Sequence, residues 1–305
     1  MSKSKLRILV LFNPHASRAE AALPALSRWF SENCHALIVV ASSKKECKRE
    51  LEAHGEEADL IVIGGGDGTI STALPQLLKV KKPFAVLPLG TANDFARTIG
   101  LPANPIQAAE VALTGQEHRI DVGFVNDHPY LNVASVGVAS RVAALQSKEL
   151  KRKWRVAAYA IALMQAIRDL RPFFIDLDLD GAPAWSGAVY QISVGNGRYH
   201  GGGLMVAENA AIDDGKLDLY IVHPGWFWQL VASVTHLKFG LAKPDVLKRL
   251  TATTVSLRTD QPRTVDADGE LATETPAKFE VRSKALTVMV PRALPPNHLG
   301  SLRQP

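Results

Sequence analysis

The sequence predicts a two-part α/β protein: an N-terminal doubly wound, Rossmann-like nucleotide-binding domain and a C-terminal β-sandwich-like domain. Two observations carry this. In the first third, short β-branched runs alternate with helical patterns, which suits a parallel sheet covered on both faces. From about Arg119 strands follow one another instead, and the expected division is 1–118 and 119–305, with the last strand or the tail returning to the first domain. A chain of 305 residues, 47% hydrophobic, has material for two cores, and single cores rarely grow beyond roughly 250 residues.

Residues 6–12, 36–41, 60–63 and 84–87 read as buried strands, with helical stretches over 20–30, 44–54, 71–80 and 94–99 between them. In the second part, strands are expected over 120–125, 130–136, 173–179, 189–194 and 217–222, then 255–258, 279–282 and 286–290. The run Phe173-Phe174-Ile175-Asp176-Leu177-Asp178-Leu179-Asp180-Gly181 alternates with period two and ends in a turn, as a half-buried antiparallel strand does. A long helix is expected over 139–170.

Charge and composition narrow the function classes. Lys plus Arg number 35 against 30 Asp plus Glu. This mild excess suits nucleotides or an anionic membrane surface and is too small to argue for nucleic acid. Cys34 and Cys47 have no zinc-ligand spacing and read as reduced thiols of a cytosolic protein. The apolar run at 8–12 is too short for a signal-peptide core. The uncharged stretch 219–237 is interrupted by Pro224 and Gly225 and makes a poor membrane span. A cytoplasmic protein, peripheral at the inner membrane face, is expected. Lys148, Lys151, Arg152, Lys153 and Arg155 around Trp154 could meet anionic headgroups, although a solvated helical face is the simpler reading. Trp226-Phe227-Trp228 reads more simply as core than as an interfacial anchor.

The chemistry is concentrated in three turns that each follow a strand. Gly64-Gly65-Gly66-Asp67-Gly68-Thr69 sets four glycines around one carboxylate between a strand and a helix, so that backbone amides can converge on phosphate oxygens. Asn13-Pro14-His15-Ala16-Ser17 and Pro88-Leu89-Gly90-Thr91-Ala92-Asn93-Asp94-Phe95-Ala96 occupy equivalent places. Ligands of open α/β sheets bind beyond the carboxyl ends of the strands, so the three loops should line one crevice. Ordinary helix caps at Ser17, Asn93 or Asp94 are the bland alternative.

These motifs resemble the diacylglycerol-kinase and sphingosine-kinase superfamily, in its soluble bacterial lipid-kinase branch. The resemblance continues through Asn196-Gly197-Arg198-Tyr199-His200-Gly201-Gly202-Gly203, Ile212-Asp213-Asp214-Gly215-Lys216-Leu217-Asp218 and Asp266-Ala267-Asp268-Gly269-Glu270. It implies an ATP- and Mg²⁺-dependent kinase acting on a lipid hydroxyl of the diacylglycerol, phosphatidylglycerol or sphingoid type. It implies nucleotide contacts at Asn13, Pro14, Ser17, Gly64, Gly65, Gly66, Asp67, Gly68, Thr69 and Thr91, with Asp67 near the triphosphate and its Mg²⁺. Asn93 and Asp94 are then substrate-binding residues, and Glu270 is the general base with Asp67 as its rival. The carbonyls of Ala211 and Lys216 with the Asp214 side chain imply a second, structural divalent ion. The chain departs from the family pattern at Arg18, where glycine is usual, at Ala41 and Ser42, where a threonine is common, and at Ser71-Thr72, where Asn-Glu is common. Ser42 is taken as the nucleotide contact. A kinase of NAD or another soluble metabolite, and a non-catalytic nucleotide-binding regulator, are the alternatives. The exact acceptor and the oligomeric state are not fixed by the sequence.

Overall fold

The computed structural model describes residues 6–137, 171–197, 199–200, 204–205, 211–224 and 248–292. The expected helix over 139–170 with its basic cluster around Trp154, Arg198, Gly201 to Gly203, and the Trp226-Phe227-Trp228 run lie outside the described residues.

The first part alternates as expected: β1 (Arg7–Phe12), α1 (Ala19–Asn33), β2 (His35–Val40), α2 (Lys44–His54), β3 (Leu60–Gly65), α3 (Asp67–Val80), β4 (Phe84–Pro88), α4 (Asp94–Thr98) and α5 (Pro105–Thr114). Strands β1 to β4 pair in parallel in the order β2-β1-β3-β4. The central strands β1, β3 and β4 are buried almost throughout, because their helices cover both faces. Two cores result. Leu9, Leu11, Ile61, Ile63, Val86 and Phe95 pack on one face of the sheet. Val10, Phe12, Leu26, Phe30, Val62 and Leu87 pack on the other.

Strands then dominate: β5 (Gln116–Val125), β6 (His128–Tyr130), β7 (Val133–Gly137), β8 (Phe173–Leu179), β9 (Ala182–Val189), β10 (Gln191–Gly195), β11 (Tyr199–His200), β12 (Leu204–Met205) and β13 (Leu217–Val222). The remainder are β14 (Lys248–Ala252), β15 (Thr254–Thr259), β16 (Thr264–Ala267), β17 (Glu270–Glu274) and β18 (Ala277–Val290). Strands β14-β13-β10-β7-β16-β17 form an antiparallel sheet. It packs against β8, β15 and the start of β18 through a third core containing Val136, Ile175, Leu177, Ile192, Leu219, Val255 and Phe279, which is the β-sandwich. Strand β8 alternates buried and exposed residues from Phe173 to Leu177, as its period-two pattern requires.

Several elements differ from the sequence expectation: β9, β14 and β16 were not expected, and the strand expected over 130–136 is broken between β6 and β7. Helix α3 begins at Asp67 rather than at residue 71, because Gly66 is extended and serves as its N-cap. Helix α5 was not expected; the Asn104 side chain accepts from Ile106 N and Gln107 N, and Pro105 opens the helix where a missing N–H costs nothing. The two strands expected over 279–282 and 286–290 are one strand, β18, with a register shift between Arg282 and Leu286. Lys284 takes φ 53° inside that shift, a turn that no glycine advertises. Glu270, which follows directly on Asp268-Gly269, is the first residue of β17.

Candidate active site

The three strand-end turns meet, and specific hydrogen bonds join them. Asn13 N donates to Gly64 O at 2.8 Å, Asn13 Nδ2 donates to Thr69 Oγ1 at 2.8 Å, and Asn13 Oδ1 accepts from His15 N. One side chain therefore ties the first turn to the glycine loop while shaping its own bend. Thr91 Oγ1 donates to Ser17 Oγ at 3.2 Å, and Ser17 Oγ reaches Leu89 O at 3.4 Å, which joins the first turn to the third. Arg18 donates from its backbone to Leu89 O and from its guanidinium to Pro88 O and Ala103 O. The departure from glycine at this position thus becomes a strut beneath the third turn.

The glycines separate into two kinds. A Cβ at Gly90 would lie 2.5 Å from the Gly66 Cα, and one at Gly65 would lie 2.4 Å from Thr69 Oγ1. Gly90 thus lets two backbones approach, and Gly65 makes room for the Thr69 side chain. A Cβ at Gly68 would meet no protein atom within 4 Å. Gly68 instead borders open space at the first turn of α3, where backbone N–H groups lack intrahelical partners and the helix dipole favours negative charge.

That space is a cavity of about 740 Å³ lined by Asn13, Ser17, Ser42, Ser43, Lys44, Gly66, Gly68, Thr69, Thr91 and, from the second half of the chain, Glu270. Glu270 stands at the end of a two-residue hairpin, Asp268-Gly269, whose φ values of 51° and 85° suit Asp-Gly. The hairpin is fixed from behind. Asp268 accepts three backbone amides, from Leu131 at 2.7 Å, Asn132 at 2.9 Å and Val133 at 3.1 Å. Burial, with a smaller contribution from the charge of Asp67, pushes the Asp268 carboxyl up to about 6 despite those three donors. Asp266 accepts from Gly269 N at 2.9 Å; its carboxyl is also raised, first by burial and then by the charge of Glu270.

The predicted residues fall into three groups. Asn13, Ser17, Ser42, Gly66, Gly68, Thr69, Thr91 and Glu270 line the cavity. Pro14, Gly64, Gly65 and Asp67 do not; Asp67 Oδ1 accepts from Phe95 N at 3.0 Å and joins the glycine loop to α4. The Asn93 amide closes on Gly90, accepting from its N–H at 2.9 Å and donating to its C=O at 2.8 Å, with φ 53° at Asn93 itself. Asn93 borders an adjoining cavity of about 440 Å³, and Asp94 is buried. Neither Ser17 nor Asn93 caps its helix through the side chain, so the bland alternative does not account for them.

A second acidic turn lies away from the cavity. Asp121 accepts from Gly215 N at 2.6 Å and from Lys284 N at 2.7 Å, and Asp213 pairs with His118 at 2.9 Å. Asp214 accepts from Lys216 N at 3.0 Å. Its side chain reaches solvent, yet the packing around its carboxyl, then the charges of Asp218 and Asp121, push it up to about 6. Among the described residues no three His, Cys, Asp or Glu side chains group as a metal cage.

Sequence reasoning missed Lys44 and Asp268. Lys44 opens α2, whose start is marked by a Ser43-x-x-Glu46 capping pattern: Ser43 Oγ accepts from Glu46 N, and Glu46 accepts from Ser42 N. That pattern could have placed Lys44 at the sheet's carboxyl edge. No local signal gives its partner, Glu270, 226 residues away.

A glycine loop at the end of a parallel sheet opens a helix toward a carboxylate from the β-sandwich, and the family matches identify the chain that carries this arrangement as a kinase. Residues 7–125 match the family described as the diacylglycerol kinase catalytic domain, and residues 132–290 match the YegS C-terminal NAD kinase beta sandwich-like domain. The chain belongs to the YegS-like lipid kinase family. It is 32% identical to the protein named "Probable lipid kinase YegS-like" of Pseudomonas putida, covering 77% of this chain and 78% of that one. It is 29% identical to a diacylglycerol kinase of Mycobacterium tuberculosis over 94% and 96% of the two chains. A solved diacylglycerol kinase structure from Bacillus anthracis shares the fold at a TM-score of 0.73, with 22% identity and coverage of 95% and 98%. No helix among the described residues is long and apolar enough to cross a membrane.

Proposed function

We propose that this kinase transfers the γ-phosphoryl group of ATP to a lipid hydroxyl, with Mg²⁺ as its cofactor. The observation that carries the reading is the cavity that joins Gly66, Gly68, Thr69 and Thr91 to Glu270 across the two halves of the chain. Phosphoryl transfer needs little covalent help from a protein, so positioning and charge neutralisation dominate. Amides of the glycine loop hold the phosphates, and the Asn13, Ser17 and Thr91 side chains orient them. The acceptor oxygen forms its bond to the γ-phosphorus as the bond to the β,γ-bridging oxygen breaks; Glu270 takes the hydroxyl proton, and ADP leaves. Glu270 is favoured over Asp67 because it lines the cavity, whereas an Asp67 oxygen is engaged by Phe95 N.

Mg²⁺ is commonly held by substrate phosphates with only one or two carboxylates, so a single protein carboxylate beside the phosphates would suffice. Asp67, close enough to raise Asp268, is the carboxylate assigned to it. Bound there, Mg²⁺ would neutralise phosphate charge. The second, structural ion would be held by the Ala211 and Lys216 carbonyls and Asp214, an all-oxygen set suited to a hard cation. An acid crowded by Asp218 and Asp121 supports that assignment. The acceptor is presented at an anionic membrane surface to a cytoplasmic protein of net charge +5.

Radiolabelled ATP, supplied with a mixed lipid extract and followed by thin-layer separation, tests the reading. A labelled lipid band is the expected result. Label confined to soluble products would identify a soluble-metabolite kinase, and binding without transfer would identify a regulator.

A further inference from the structure

The ion pair between Lys44 and Glu270 spans the cleft. Lys44 Nζ lies 2.5 Å from Glu270 Oε1, and both residues line the cavity that also holds Ser17, Gly68, Thr69 and Thr91. Helix stability does not explain a lysine at this place. The first turn of a helix carries the positive end of its dipole and favours acids, and Lys44 is the first residue of α2. A cation held there by the Ser43 and Glu46 caps is poised for a ligand of high negative charge. The pair itself is exchangeable, because its side chains are 68% and 38% exposed and such pairs are individually weak.

We propose that Lys44 is a positioning residue that changes partners: it holds the Glu270 carboxylate before nucleotide binds and passes to the nucleotide phosphates on loading, which frees Glu270 for the acceptor hydroxyl. This rests on the phosphoryl-transfer reading above. The exchange couples nucleotide occupancy to the availability of the base. A base released only when the phosphoryl donor is present keeps the two halves of the site in step. No group transfer occurs in the exchange; one ion pair replaces another.

A double-mutant cycle on the affinity for a non-hydrolysable ATP analogue with Mg²⁺, measured calorimetrically on the full chain, tests it. Lys44→Met weakens binding about tenfold, the scale of one lost charge-assisted contact, and Lys44→Arg restores most of it. Glu270→Gln removes the competing carboxylate and tightens binding. That tightening is about threefold greater with Lys44 present than in the Lys44→Met background, the value of one exposed ion pair released on binding. Equal tightening in both backgrounds, or a larger one in the Lys44→Met background, would overturn the exchange while leaving the nucleotide site standing. Failure of the wild-type chain to bind the analogue would instead overturn the phosphoryl-transfer reading, and the exchange with it.

Discussion

The acidic turns at 266–270 and 213–218 are built from the same parts. Each has adjacent or alternating aspartates and a glycine at positive φ, 85° at Gly269 and 71° at Gly215. Each is pinned by one carboxylate that accepts backbone amides, Asp268 for 131–133 and Asp121 for Gly215 and Lys284. They differ in what they face. The first presents Glu270 to the glycine loop across the cavity, and no residue of 211–218 lines that cavity. Carboxylate density alone therefore does not make a chemical site. What distinguishes the first turn is that its Glu270 faces the glycine loop across one cavity.

Breaking the first turn should cost activity, and breaking the second should cost ion dependence. Glu270→Ala is expected to lower turnover by about 10²-fold or more while ATP saturates at concentrations no higher than for the wild type, measured by phosphoryl transfer to lipid. Near-full turnover would remove Glu270 from its role. Gly68→Ala places a methyl group where no protein atom stands, so it should weaken nucleotide binding about tenfold, the scale of one lost charge-assisted contact, without lowering the melting temperature of a helix that prefers alanine. Gly90→Ala drives a methyl group into the Gly66 backbone and should lose about 1–3 kcal/mol of stability. Denaturant titration of the two variants separates a glycine kept for a ligand from one kept for the fold.

Asp268→Ala strands three amides and should cost about 1–3 kcal/mol in urea unfolding, with a fall in turnover as the hairpin loosens. The smallest effect belongs to the second turn. The Asp214 carboxyl, at about 6, binds its proton more tightly in the folded than in the unfolded chain. Its contribution to stability is thus fully present below about pH 4 and lost as the pH rises through 6. In chelator, Asp214→Asn should flatten the fall in melting temperature across that window, and adding Mg²⁺ should stabilise only the wild type. Identical Mg²⁺ titrations would count against an ion at this turn.

The meeting of the three turns was legible because each motif is contiguous and follows a strand of one parallel sheet. Gly64 to Thr69 and the turn ending in Asn93-Asp94 each carry the signal within a few positions. The β-sandwich was legible from alternation, as in β8. The joining of β18 was not, because a positive φ at Lys284 replaces the glycine that usually marks such a bend. Helix α3 was placed late for the opposite reason: glycines read as a loop continue into the first helical turn. Asn93 as the brace of its own turn and Asp67 as a tie from the glycine loop to α4 depend on contacts with Gly90 and Phe95 that spacing does not reveal.

Strand β18 joins β4 in parallel and β5 and β15 antiparallel, and its Leu286, Val288 and Val290 sit in the core beneath the glycine loop. The sheet that presents the loop therefore stays unfinished on the ribosome until residue 290 has emerged. A truncation ending near residue 125 would expose a raw apolar flank at β4, so the nucleotide half is not expected to survive as a transplantable module.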